Sequence, residues 1–111
     1  MRVLFVCSRN RRRSPTAEAL FAGRDGIEAL SAGTAVDAEA PVSAELIAWA
    51  DIIFAMETVH RRRLEEQFGK LLNQKKLIVL GIDDKYRYMD AKLVELLLKK
   101  AAPFLPPQET D

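Results

Sequence analysis

Cys7 and Arg13 stand six positions apart in the stretch Val6-Cys7-Ser8-Arg9-Asn10-Arg11-Arg12-Arg13-Ser14-Pro15. Together they suit nucleophilic attack on phosphorus. A thiol attacks only as its thiolate, and a free cysteine with a pKa of about 8.5 is mostly protonated; helix N-termini and nearby cations can lower such groups to roughly 3.5–7.5. A helix start and a run of cations both follow Cys7. The Arg13 guanidinium is a planar, permanently charged fork of donors that matches two phosphate oxygens and the equatorial charge of a transferring phosphoryl group. The backbone through Ser8, Arg9, Asn10, Arg11 and Arg12 offers successive N–H groups to cradle the anion, so these residues and Ser14 form the expected substrate-binding set. Ser14 can also donate a hydrogen bond to the Cys7 sulfur, which favours the thiolate and later helps it leave.

Attack on phosphorus needs an acid to protonate the departing oxygen, then a base to activate water against the phosphocysteine. One carboxyl group can do both. Asp84 is the first choice and Asp83 the second, in a loop over residues 81–89. Tyr86 and Tyr88, in the same loop, are expected to wall the cleft and stack on an aromatic leaving group. Asp90 reads as a helix cap. His60, the sole histidine, shares a helical face with Leu64 and Phe68 and reads as a packed side chain rather than a proton carrier, and the Arg61-Arg62-Arg63 run reads as a solvated face.

The elements that must position these groups alternate in type. Residues 2–6 form a β-branched and aromatic run expected to be a strand buried on both faces. Ser14 fits an N-cap and Pro15 the first helical position, and Gly23 can end that helix. A second strand is expected over 27–30, followed by a tight loop at Ser31-Ala32-Gly33-Thr34. Pro41 opens a helix, residues 52–56 make a third buried strand, and a helix runs from Thr58 until Gly69 closes it. A fourth strand is expected over 77–80 and a last helix from Asp90, ended by Pro103. Strands alternating with helices imply right-handed crossovers and a parallel sheet covered on both faces. Ligands then bind beyond the carboxyl ends of the strands, so the Cys7 loop, the Met56 junction and the Asp83-Asp84 loop should share one rim.

The chain of 111 residues, 49% hydrophobic and 30% charged, has the make-up of one ordinary globular domain, here expected over 1–105 with a frayed tail over 106–111. A net charge of +1 gives no strong global field, although Arg9, Arg11, Arg12 and Arg13 make a dense local patch. Nucleic acid is disfavoured because no aromatic residues interleave with those arginines. A single cysteine excludes an internal disulfide, and one Cys with one His cannot supply four zinc ligands, so neither metal nor cofactor is expected. With no signal peptide and no apolar run near twenty residues, a cytoplasmic location and no membrane partner are expected.

The motif Cys7-x5-Arg13-Ser14-Pro15-x-Ala17-Glu18, with Ser31-Ala32-Gly33-Thr34 and an Asp-containing loop after the fourth strand, resembles the low-molecular-weight protein tyrosine phosphatases. Within them it is similar to a short bacterial branch, through Tyr88-Met89-Asp90-x-x-Leu93-Val94-Glu95-Leu96-Leu97. The resemblance implies a single-domain α/β fold, a four-stranded parallel sheet with helices on both faces in the phosphatase-I, flavodoxin-like three-layer sandwich. It implies Cys7 as nucleophile, Arg13 as phosphate clamp, Asn10 and Ser14 as loop-shaping partners and Ser31 as support behind them. The substrate class implied is a phosphotyrosine protein or small aryl phosphate. The chain departs from the family in having Arg9 where glycine is usual, Arg12 where many members have a second cysteine, and Asp84-Lys85-Tyr86 in place of Asp-Pro-Tyr. Two rival readings follow: arsenate reduction with an external thiol, and a phosphate or phosphopeptide binding module without efficient acid catalysis.

Overall fold

The computed structural model describes residues 1–108. Four strands, β1 (Arg2–Cys7), β2 (Glu28–Gly33), β3 (Ile52–Ala55) and β4 (Lys76–Val79), form one parallel sheet in the order β2-β1-β3-β4. Four helices cover it: α1 (Arg13–Phe21), α2 (Ala44–Trp49), α3 (Thr58–Leu72) and α4 (Ala91–Lys100). This is the α/β sandwich expected from the alternation of elements. β1 is an interior strand whose Val3, Leu4, Phe5 and Val6 are all buried. The two-residue period of a strand divides it between two cores. Val3, Phe5 and Cys7 pack with Ala17 and Phe21 of α1 and Leu93 and Leu97 of α4, while Leu4 and Val6 pack with Ile47 of α2 and Leu64 of α3. Phe5 stacks on Phe21 and Phe54 at centroid distances of 5.6 and 5.3 Å. Each such buried ring contributes about 1.5–3 kcal/mol of transfer free energy.

Several boundaries differ from the sequence expectation, each for a local reason. α1 begins at Arg13, with Arg12 and not Ser14 at the cap position. The Ser14 hydroxyl is engaged by Cys7 and Asn10 and so cannot cap; Pro15, now third in the helix, still falls among the first four N–H positions that need no intrahelical acceptor. β2 continues through Ser31-Ala32-Gly33, which pair with Phe5, Val6 and Cys7, so this segment is strand rather than loop. α2 starts after Ser43, whose Oγ accepts from the Leu46 N–H, and Pro41 instead bridges to Gly33. α3 bends at Gly69 and resumes to Leu72. Asp90 caps α4 as expected, accepting from the Lys92 N–H.

Of the tail expected to fray over 106–111, Gln108 exchanges hydrogen bonds with the Asp25 backbone, and residues 109–111 lie outside the described residues. Among the described residues no helix is long and apolar enough to cross a membrane.

Candidate active site

The segment between β1 and α1 is a tight loop whose carbonyls are already used. The N–H groups of Thr34, Ala35 and Glu39 donate to the oxygens of Cys7, Ser8 and Arg9 at 2.9, 2.9 and 3.1 Å. No protein group among the described residues accepts from the backbone N–H groups of Ser8 to Arg12. Those donors, at the positive end of α1, are free for an anion. Gly33 permits this close approach: a Cβ there would lie 2.5 Å from the Ser8 carbonyl oxygen and 2.6 Å from the Ala38 Cβ.

Behind the loop a chain of hydrogen bonds can be given a direction. Ser31 donates to Glu18 Oε1 at 2.7 Å, and Asn10 Nδ2 donates to Ser31 Oγ at 2.8 Å and to Ser14 Oγ at 2.9 Å. Asn10 sits at φ +59, a left-handed conformation that a short polar side chain tolerates. Since Ser14 Oγ already accepts from Asn10, its own proton is available to the Cys7 sulfur 2.9 Å away; the Ala32 carbonyl at 3.5 Å is a poorer acceptor. When Cys7 is a thiolate, which can only accept, the hydroxyl is the donor of this bond.

Arg13 is 2% exposed despite its charge. Its Nη1 donates to Glu57, just after β3, and at 2.8 Å to the Ile82 carbonyl, just after β4; its Nε lies 3.6 Å from Asp84 Oδ1. The carboxyl ends of β1, β3 and β4 therefore converge on one guanidinium, as the shared rim requires. Glu57 also starts α3, and its backbone N–H donates to His60 Nδ1 at 3.0 Å. With Nδ1 accepting, the ring proton sits on Nε2 and is donated to Ser8 Oγ at 2.8 Å. Burial lowers the His60 pKa to about 4, and the Arg13 charge adds to the effect, so the imidazole is neutral at neutral pH.

A cleft of about 420 Å³ opens over the loop, lined by Cys7, Ser8, Arg9, Arg11, Arg12, Arg13 and Asp84. Asn10 lies buried in the loop and Ser14 in the first turn of α1, with half-buried Ser31 behind Asn10. Asp83 is exposed and off the cleft wall, leaving Asp84 as the carboxyl group that lines the cleft. Tyr86, expected on the wall, is half-buried against the core formed by α1 and α4, with the Lys85 ammonium 5.6 Å from its ring. Tyr88 is exposed. Among the described residues no aromatic side chain lines the cleft.

Sequence reasoning overlooked Glu57 and gave His60 a packing role without its bond to the loop. The Glu-x-x-His spacing at a helix start, reminiscent of a capping box, was the available signal.

No protein-family model matches the chain. It is 34% identical to the protein-arginine-phosphatase of Bacillus subtilis (strain 168), in a match that covers 63% of this chain and 65% of that relative. Among solved structures it superposes on the low molecular weight protein tyrosine phosphatase from T. tengcongensis, with TM-score 0.74 and 27% identity over 95% of this chain and 99% of that one. It also superposes on a mutant of the YwlE arginine phosphatase with a phosphorylated active-site serine, with TM-score 0.68 and 27% identity over 95% and 100% of the two chains.

Proposed function

We propose that the chain is a cysteine-dependent phosphatase of phosphorylated protein side chains, of the low-molecular-weight protein tyrosine phosphatase kind that its sequence and fold resemble, working through a phosphocysteine intermediate. The observation that carries this reading is the Cys7 sulfur, 2.9 Å from the Ser14 hydroxyl, beside a loop of unpartnered N–H groups, with Arg13 at the same cleft. The phosphate oxygens take the loop donors and the Arg13 fork. The sulfur attacks phosphorus as the ester bond breaks, and Asp84 gives its proton to the departing oxygen. Asp84, now a carboxylate, takes a proton from the water that attacks the phosphocysteine. The P–S bond then breaks, the electron pair returns to sulfur, and the Ser14 hydroxyl stabilises the restored thiolate.

Phosphotyrosine is the first reading of the substrate, because a leaving oxygen that develops negative charge suits an arginine-rich wall better than a leaving guanidinium. Phosphoarginine is the second, favoured by the activity named for the Bacillus subtilis relative. Turnover of matched phosphotyrosine and phosphoarginine peptides separates the two.

The test of the common reading is para-nitrophenyl phosphate turnover. Cys7→Ser should abolish it while leaving phosphate binding; persistent turnover would sink the proposal. On a poor leaving group Asp84→Asn should lose more than about tenfold, or roughly 1.4 kcal/mol of barrier, and Asp83→Asn less. If neither does, the loop carries no acid and the binding-module reading takes over.

A further inference from the structure

Four arginines line the cleft, and their partners divide them. Arg13 has Glu57 and Asp84, and Arg11 has Glu39 at 3.4 Å. Arg9 and Arg12 have no carboxylate within ion-pair distance among the described residues, and both are exposed. Their roots are nonetheless fixed. The Arg9 carbonyl accepts from the Glu39 N–H at 3.1 Å, and the Arg12 carbonyl accepts from the Thr16 N–H at 3.0 Å and the Thr16 hydroxyl at 2.6 Å.

A phosphate in the cradle is served by the loop N–H groups and Arg13, so two unneutralised guanidinium groups are left facing whatever surrounds the phosphate. The chain as a whole carries only +1, so this excess is local to the cleft. A guanidinium fork is matched by a carboxylate, and heads at an open rim meet the residues beside the phosphorylated one rather than the phosphate itself.

We propose that the cleft selects phosphorylated protein segments with acidic residues flanking the phosphorylated side chain, and that Arg9 and Arg12 are the groups that read them. The proposal rests on the phosphatase reading above and adds its substrate class. The absence of an aromatic wall agrees with it, since selectivity then has to come from charge rather than from stacking.

The experiment compares kcat/KM for phosphopeptides that share one phosphorylated residue and carry acidic, neutral or basic flanks, at low salt and at about 0.5 M salt. Wild type should favour acidic over neutral flanks by about tenfold at low salt, the size expected of two exposed ion pairs, and the preference should shrink at high salt. In the Arg9→Gln/Arg12→Gln variant, shown to be folded by its thermal melt, the acidic-to-neutral ratio should fall toward one. A ratio near one for wild type, or a preference unchanged in the variant, overturns the proposal even where para-nitrophenyl phosphate is turned over. If nothing is turned over, the phosphatase reading itself fails. The same peptides titrated into Cys7→Ser then decide the charge preference by affinity alone: tighter binding of the acidic peptide retains the recognition, and equal affinities end it.

Discussion

Arg13 keeps almost no contact with water, so its charge has to be balanced by protein groups wherever no anion is bound. Glu57 supplies most of that balance, since Asp84 is more exposed and further away. Glu57→Gln should therefore cost about 2 kcal/mol of stability, a figure reduced from that of a fully buried pair because the Glu57 side chain is 37% exposed. Phosphate should restore more stability to this variant than to wild type, because the bound dianion replaces the lost charge. Urea melts with and without phosphate measure both effects, and a variant as stable as wild type would show that Glu57 does not neutralise Arg13.

His60 gives the fold a pH dependence of known sign. Its folded-state pKa, about 4, lies below the ordinary 6.5, so between those values the unfolded chain binds more protons than the folded one. The stability associated with neutral His60 is fully present above about pH 6.5 and is lost as pH falls toward 4, amounting to about 3 kcal/mol. Stability measured across this window should slope down toward acid in wild type and be flatter in His60→Gln. Equal slopes would count against the assignment.

The working unit among the elements is β1, its loop and α1, braced from one side by the end of β2 and from the other by the start of α3. Gly33 is the contact point with β2, and backbone atoms stand where its Cβ would go. Gly33→Ala cannot be relieved by a rotamer change and must push the loop away from β2. The expected cost is about 2 kcal/mol of stability, together with a fall in para-nitrophenyl phosphate turnover, because the loop carrying Cys7 shifts. Turnover and a melting curve on the same sample test both, and an unchanged enzyme would mean that the loop has slack. The start of α3 contributes differently: Glu57 holds Arg13 and His60 holds Ser8, so one helix end fixes two parts of the loop's surroundings.

In the molecule as a whole, the site gathers groups from the ends of three strands and both sheet faces, so ligand binding should stabilise the fold as a unit. At a concentration about 100 times its Kd, phosphate or vanadate should add roughly 2.7 kcal/mol. For a domain of this size that corresponds to a rise in Tm of roughly 10 °C. The rise should be largely lost in Arg13→Ala, and a full rise there would place the anion elsewhere.

The proposed nucleophile, clamp and cradle could be nominated from the amino-acid order because Cys7, Arg13 and the intervening N–H groups fall within one short segment, held by short-range geometry. The sheet was legible for a related reason, since the periodicity of each run reports which faces are buried. Asp84 could be nominated from the rim rule, and its place beside Arg13 agrees with that nomination. What the order of residues left open depends on contacts between distant segments. Glu57, His60 and Ile82 meet the loop across 44, 52 and 69 residues, and only the packing of α3 and the loop after β4 onto the sheet brings them there. Pairing with β1 made Ser31 to Gly33 a strand, capture of the Ser14 hydroxyl by sulfur moved the helix start to Arg13, and the core drew Tyr86 off the cleft wall. In each case a tertiary partner outweighed a local preference worth about 1 kcal/mol or less.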